Sequence, residues 1–171
     1  MDIVEKKYTA KEAMQLVVEC CNDEVERAAQ VITIFTISES ERKLFVRMFS
    51  HWLHKNRKRI FVLTDSVSSL QAIKQRIVAK YKGIAVVETA TLEEHGASDD
   101  KILNRINGAE ADCIIASVPR EIEEAFMKQN RKSLNVKVWL GLGCGQEWKK
   151  EKNWFDKIKK IFSDTAQKNI Y

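Results

Sequence analysis

Five short runs dominated by apolar and β-branched residues alternate along this chain with longer segments whose apolar residues recur at helical spacing. The runs are Val31–Thr36, Ile60–Leu63, Ile84–Val87, Cys113–Ala116 and Val136–Leu140. Because they are nearly continuous in apolar character, they predict strands buried on both faces, as in parallel sheets covered by helices. The alternation therefore predicts an α/β fold, a doubly wound, Rossmann-like three-layer sandwich of about five parallel strands.

Capping residues indicate where the intervening helices begin. Thr9 with Glu12, and Ser38 with Glu41, have the spacing of a capping box, in which two side chains satisfy free backbone N–H groups. The first pair predicts a helix from about Ala10 to Ala28. A third helix is expected to be capped by Asp65 or Ser66 and to end near Gly83. A polar loop over Thr89–Ser98 precedes a fourth helix that ends at Gly108, and Pro119 lies in the first turn of a fifth helix that ends at about Asn130.

Composition indicates one soluble domain. Hydrophobic residues make up 44% of the 171 residues and charged residues 31%, and no apolar run approaches the roughly 20 residues that span a bilayer. The N-terminus lacks the basic start and apolar stretch of a secretion signal. The cysteines, which are Cys20, Cys21, Cys113 and Cys144, form no CxxC pair. We interpret them as reduced thiols of a cytoplasmic protein.

Positive charge is concentrated at the C-terminal end. Residues 149–171 contain seven lysines and three acidic residues, which leaves the rest of the chain at +1 of a net +5. A uniformly basic nucleic-acid-binding domain is therefore not indicated, and we expect no nucleic-acid partner. We predict one domain over residues 1–148 followed by a basic tail over residues 149–171.

The tail has the pattern of an amphipathic helix. Its apolar residues are Trp154, Phe155, Ile158, Ile161 and Phe162, with most lysines on the other side. Such a helix packs on its own domain, or binds a partner protein or an anionic membrane surface. A peripheral position at the membrane therefore stays open.

Ligands of doubly wound sheets bind at the carboxyl ends of the strands, so the residues just after each strand are the candidates. Ser117, Pro119 and Arg120 lie where a helix N-terminus and a cation would favour an anion; the alternative is a capped helix with Arg120 in solvent. Thr64 and Ser66 occupy the equivalent place after an earlier strand. There we interpret Asp65 as a helix cap, because its carboxylate satisfies the N–H groups that a phosphate would use.

Glycines follow the last strand at positions 141, 143 and 145, without the spacing of a dinucleotide fingerprint. They form either a turn whose N–H groups face a phosphate or sugar, or a plain flexible exit from the sheet. His95 is a candidate base or phosphate donor, but Glu93 and Glu94 beside it, with no cysteine near, do not favour zinc. We expect no metal and no cofactor.

Several local strings, in this order, look like the C-terminal half of the WecG/TagA/CpsF glycosyltransferases. They are Arg59–Leu63, Tyr81–Ile84, His95-Gly96, Ile102–Asn107, Ala111–Ile115, Pro119–Glu121 and Val138–Gly143. The resemblance covers roughly Lys58 to Gly145, and Thr9 to Thr36 fits weakly. It implies transfer of N-acetylmannosamine-type sugars from UDP-sugars to polyprenyl-diphosphate-linked acceptors in bacterial surface polymer synthesis.

The chain departs from the pattern of this family where its chemistry is expected. Thr33 of a Thr-Pro-Asn motif is kept, but Ile34 and Phe35 replace the proline and asparagine. The long segment that bears the proposed base aspartate of the family is absent, because one helix leads from Ser38 to Arg59. Transfer needs a base for the acceptor hydroxyl and charge stabilisation for the leaving diphosphate. The resemblance therefore implies a divergent, internally shortened homologue.

We derive three functional hypotheses. The first is a degenerate homologue with a UDP or UDP-N-acetylhexosamine site at the strand ends. The second is an active, minimal UDP-sugar-dependent hexosyltransferase that acts on a polyprenyl-diphosphate-linked acceptor. The third is a non-catalytic protein-interaction domain. The catalytic candidates are Thr33, His95 and Glu121. The expected nucleotide-sugar-binding residues are Ser117, Pro119, Arg120, Gly141, Gly143, Gly145, Thr64 and Ser66.

Overall fold

The computed structural model describes residues 7–22, 28–80, 85–92 and 99–143. The helices of this part of the chain are α1 (Ala10–Asn22), α2 (Arg42–Lys55), α3 (Val67–Lys80), α4 (Asp99–Ala109) and α5 (Arg120–Asn130). The strands are β1 (Gln30–Thr33), β2 (Arg59–Thr64), β3 (Ala85–Thr91), β4 (Cys113–Ser117) and β5 (Val138–Gly141). They form one sheet in the order β1-β5-β4-β2-β3, and every pairing is parallel.

Side chains alternate between the two faces of the sheet and are buried on both. Ile60 and Val62 of β2 join an apolar cluster with α1, α2 and α3, whereas Phe61 and Leu63 join a second cluster with α4 and α5. The strands therefore need helices on both sides, which is why their sequences are continuously apolar. The predicted three-layer α/β sandwich of five parallel strands is confirmed.

The order of the strands explains which helix covers which face. The connections from β1 to β2 and from β2 to β3 run in one direction along the sheet, and they contain α2 and α3. The connections from β3 to β4 and from β4 to β5 run in the opposite direction, and they contain α4 and α5. Since such crossovers are right-handed, opposite directions place the helices on opposite faces.

Two strand boundaries differ from the predicted ones. The first strand ends at Thr33 rather than Thr36, because its pairing with β5 stops at the end of that strand and residues Ile34–Thr36 form a 3₁₀ turn. The third strand runs to Thr91, because its pairing with β2 continues to that residue after one register shift that skips Val87. The predicted loop therefore starts too early.

Smaller differences concern the ends of other elements. Ala28 is not helical, although it is the expected end of α1, and α4 continues past Gly108 by one residue. Pro119 takes the cap position immediately before α5 rather than its first turn. The last strand begins at Val138, where its pairing with β1 and β4 begins.

The capping box at the start of α1 is confirmed. Glu12 N–H donates to Thr9 Oγ1 at 3.1 Å, and Thr9 N–H donates to Glu12 Oε1 at 3.4 Å. These bonds satisfy two backbone donors that the helix itself leaves unpaired.

The capping box predicted at Ser38 is wrong, whereas the cap predicted at Asp65 or Ser66 is confirmed at Ser66. Ser38 makes no side-chain cap; instead, Glu41 N–H donates to the Ser38 carbonyl at 2.8 Å in a short 3₁₀ turn before α2. At α3 the cap is Ser66, whose Oγ accepts a bond from Ser69 N–H at 3.3 Å. Asp65 is therefore not the cap.

No helix within the described ranges combines the length and the hydropathy needed to cross a membrane. The predicted end of α3 near Gly83 and the tail over residues 149–171 lie outside the described residues.

Candidate functional site

The carboxyl ends of all five strands lie at the same edge of the sheet, because every pairing is parallel. At this edge the chain leaves β2 toward α3 on one face and leaves the neighbouring β4 toward α5 on the other. Strand ends from which the chain diverges in this way leave a crevice in α/β sheets. The backbone joins the two strand ends, since Asp65 N–H donates to the Ser117 carbonyl at 3.1 Å.

A cavity of about 410 Å³ lies beside this edge, between the end of β1 and the start of α5. We call it the β1–α5 cavity, and its described lining residues are Lys7, Tyr8, Val31, Thr33, Phe35, Thr36, Arg120, Glu123 and Glu124. Sites for small molecules typically occupy about 300–1,000 Å³. The β1–α5 cavity is therefore large enough for part or all of a small polar ligand.

Thr33 lines this cavity and carries a buried hydroxyl. It is the last residue of β1 and pairs in register with Gly141 of β5. Its Oγ1 is buried and has no hydrogen-bond partner among the described residues, while its carbonyl accepts a bond from Thr36 Oγ1 at 2.7 Å. A buried hydroxyl without a partner costs free energy, so this group favours a ligand that can bond to it.

Arg120 and Phe35 form one wall of the cavity. The guanidinium carbon of Arg120 lies 5.6 Å from the centroid of the Phe35 ring, and its Nε lies 3.3 Å from Glu124 Oε1. Arg42 approaches the same ring at 5.8 Å, and its Nε donates to the carbonyls of Ile34 and Ile37. These contacts hold the turn after β1 in place and leave the Arg120 side chain 48% exposed.

Glu123 is the acidic group that sequence reasoning missed. It is only 5% exposed, and a Cβ built on Gly141 would lie 2.5 Å from Glu123 Oε1. Glu121, the predicted candidate, is exposed on α5. The sequence feature that could have indicated Glu123 is its position on the helix. Glu123, Phe126 and Asn130 are spaced so that they share the buried side of a helix that starts at Arg120.

The hydroxyls of Ser117, Thr64 and Ser66 all take part in internal bonds. Ser117 is fully buried and its Oγ donates to the Gly143 carbonyl at 2.8 Å. Thr64, also fully buried, donates to the Ser66 carbonyl at 2.8 Å, and Ser66 caps α3. These three residues are placed at the carboxyl edge but do not line the β1–α5 cavity.

Of the predicted glycines, Gly141 is the last residue of β5 and Gly143 lies two residues beyond it. Gly141 pairs with both Thr33 and Ala116, and Leu142 N–H donates to the Ala116 carbonyl at 2.7 Å. Gly143 has a φ of 73°, a left-handed conformation that favours glycine. Gly145 and His95 lie outside the described residues.

Another carboxylate lies farther along the same edge. Asp65 Oδ1 is buried, and none of the described residues offers it a hydrogen bond. Asp65 is not among the residues that line the β1–α5 cavity. No three His, Cys, Asp or Glu side chains of the described segments are grouped so that they could hold a metal ion.

Comparison with protein families identifies the scaffold. The model of the glycosyl transferase WecG/TagA/CpsF family matches residues 40–146, well over half of the chain. The chain belongs to this family. The match runs from α2 to β5 and includes all of α5, but it begins after Thr33. A comparison with curated proteins found no match.

Proposed function

We propose that this glycosyltransferase-family chain binds UDP or a UDP-N-acetylhexosamine in the β1–α5 cavity. Family membership supports the class of ligand. The observation that carries the location is the Thr33 hydroxyl, which is buried in the cavity wall without a partner among the described residues. A ligand hydroxyl or phosphate oxygen would restore that hydrogen bond on binding.

The charges at the cavity suit a ligand with an anionic part and a hydroxyl-rich part. Pro119 offers no side-chain bond to the first N–H groups of α5, and Arg120 follows it at once, so an anion is favoured there. Lys7 adds a second cation to the lining. Glu123 is suited to accept bonds from sugar hydroxyls, because its carboxylate is buried and acceptor-only when ionised. We assign the diphosphate to Arg120 and the sugar to Thr33 and Glu123.

We propose further that transfer is reduced or absent. The connection from β1 to β2 contains one 3₁₀ turn after β1, a second before α2, and α2 itself, so it lacks the longer segment that the family resemblance assigns to the base. Loss of a general base typically costs about 10²–10⁴ in rate. Binding without efficient turnover therefore fits the shortened chain.

One observation favours active transfer as a second candidate function. Glu123 is a buried carboxylate that lines the same cavity as Thr33. As a base it would take the proton of the acceptor hydroxyl while the acceptor oxygen bonds the anomeric carbon. The bond from that carbon to the diphosphate would break, and UDP would leave with its electron pair. This role replaces the one that the sequence suggested for Glu121, which is exposed.

Binding is tested by thermal unfolding of the full chain with UDP and UDP-N-acetylhexosamines. A ligand at 100 times its Kd stabilises the folded state by about 2.7 kcal/mol, which raises the Tm by several degrees. Thr33→Val should lose about half of the shift given by a UDP-N-acetylhexosamine and little of the shift given by UDP, because the hydrogen bond it removes is to the sugar and is worth about 1 kcal/mol. It should not lower the Tm of the free protein, because the hydroxyl it removes is unsatisfied and the volume is nearly constant. Arg120→Ala should also weaken binding.

The matched control is Lys128→Ala, since Lys128 is exposed on the same helix two turns beyond Arg120. It should leave the UDP shift unchanged. Absence of any shift at millimolar UDP would contradict the proposal and favour a protein-interaction domain.

Transfer of radiolabelled sugar to a polyprenyl-diphosphate-linked acceptor separates the two candidate functions. No transfer by a chain that binds UDP supports the binding protein. Transfer that Glu123→Gln abolishes, with UDP binding retained, supports Glu123 as the base.

A further inference from the structure

Two cysteines that are far apart in sequence meet at the opposite edge of the sheet from the β1–α5 cavity. Cys21 lies at the C-terminal end of α1, and Cys113 is the first residue of the central strand β4. Cys21 packs against the apolar cluster to which Cys113 belongs. The side chains of the two cysteines are close enough to interact with each other at this edge.

The two thiols differ in exposure. Cys113 is fully buried, whereas Cys21 is half-buried. Three charged residues of the described part of the chain act on the Cys21 thiol: Lys58 precedes β2, Lys137 precedes β5 and Asp112 precedes β4. Within the described segments, these are two cations and one anion.

The surroundings also set the acidity of each thiol. The hydrogen bond from Cys113 lowers the pKa of Cys21, and Lys58 and Lys137 lower it further, against the opposing effects of burial and Asp112. The same bond and burial raise the pKa of Cys113 well above its ordinary value. Cys21 is therefore the thiol that ionises first, and the thiolate is the reactive form of cysteine.

We propose that Cys21 and Cys113 form an oxidisable dithiol that reacts with low-molecular-weight disulfides. In the first step the Cys21 thiolate attacks one sulfur of the disulfide, forms a mixed disulfide and releases one small thiolate. In the second step Cys113 loses its proton to solvent and attacks Cys21 Sγ, which releases the second small thiolate. The two cysteines are oxidised and the added disulfide is reduced to two thiols.

Cys20 is a built-in comparison. It is the neighbouring residue on α1 and is also half-buried, but its Sγ donates to Gln30 Oε1 at 3.9 Å. Adjacent residues on a helix point about 100° apart, so Cys20 and Cys21 cannot face Cys113 in the same way. The pairing therefore distinguishes two cysteines that the sequence makes look equivalent.

The experiment titrates the reduced full chain with glutathione disulfide under non-reducing conditions and maps the linked peptides by mass spectrometry. We expect a monomeric product that has lost two hydrogens, with Cys21 joined to Cys113. Because the cross-link closes a long loop between α1 and β4, it should raise the Tm by roughly 5 °C or more.

Three variants sharpen the test. Cys20→Ser should still form the cross-link, and Cys21→Ser should not. Cys113→Ala should stop at the mixed disulfide, with one glutathione on Cys21. A cross-link through Cys20 or Cys144, only intermolecular disulfides, or no reaction of Cys21 would overturn the proposal. Since the linked peptides are mapped directly in the wild-type chain, the proposal can be tested even where a variant fails to fold.

Discussion

At the scale of single residues, the candidate site depends on a close contact between a carboxylate and a glycine. Glu123 is buried on the inner side of α5, and its carboxylate occupies the space that any side chain at position 141 would need. Glycine at position 141 therefore leaves room for the Glu123 carboxylate. Gly141 is also the last residue of β5, where it pairs with Thr33 of β1. Three residues from separate parts of the chain become one site through this contact.

Gly141→Ala should lower the free energy of unfolding by about 1–3 kcal/mol, because the added Cβ would lie 2.5 Å from Glu123 Oε1. Urea denaturation at constant m-value measures the change. In a Glu123→Ala background the same glycine substitution should cost less than about 0.5 kcal/mol, which gives a coupling energy between the two positions. An equal cost in both backgrounds would show that the contact is not the cause.

At the scale of elements, similar local sequences led to different helix starts. Thr9 with Glu12 and Ser38 with Glu41 have the same spacing, but only the first pair forms reciprocal side-chain bonds. The second pair enters a 3₁₀ turn, where the Ser38 carbonyl accepts the bond from Glu41 N–H. The way the chain enters the helix decides whether a capping pattern becomes a capping box.

This difference is measurable. Thr9→Ala should destabilise the protein by about 1 kcal/mol, because it leaves the Glu12 N–H without its acceptor. Ser38→Ala is the matched control and should change the free energy of unfolding by less than about 0.5 kcal/mol, since Ser38 makes no side-chain cap. Equal effects of the two substitutions would contradict the assigned caps.

At the scale of the whole molecule, the strand order determines which strands are deeply buried. β4 lies at the centre of the sheet with its side chains packed on both faces, whereas β3 is an edge strand with half-buried residues. The common direction of the parallel strands separates the β1–α5 cavity, at the carboxyl edge, from the Cys21–Cys113 pair, at the amino edge.

Substitutions in these two strands should therefore differ in cost. Ile114→Ala in β4 removes a fully buried side chain and should cost roughly 2–5 kcal/mol. Val87→Ala in β3 removes a half-buried one and should cost roughly 1 kcal/mol. Chemical denaturation of both variants measures the two losses of free energy of unfolding. A larger loss for Val87→Ala than for Ile114→Ala would argue against β3 as the edge strand.

The family resemblance and the fold class were accessible from sequence, and both are confirmed. Only part of the candidate site could be predicted from the sequence. Thr33 and Arg120 are candidates from the sequence alone, and the structure brings both to the β1–α5 cavity. Glu123 was missed because the rule that ligands bind at strand ends points to the loop after β4 and not to the buried side of the helix that follows it.

The sequence by itself determined that this chain forms parallel strands covered by helices, because apolar runs and helical spacing are local properties read along the chain. Only the tertiary structure decided that β1 pairs with β5, that Gly141 adjoins Glu123, and that Cys21 rather than Cys20 meets Cys113. These contacts join residues distant in sequence. They depend on how whole faces of the sheet and helices are buried together, for which the chain carries no local signal.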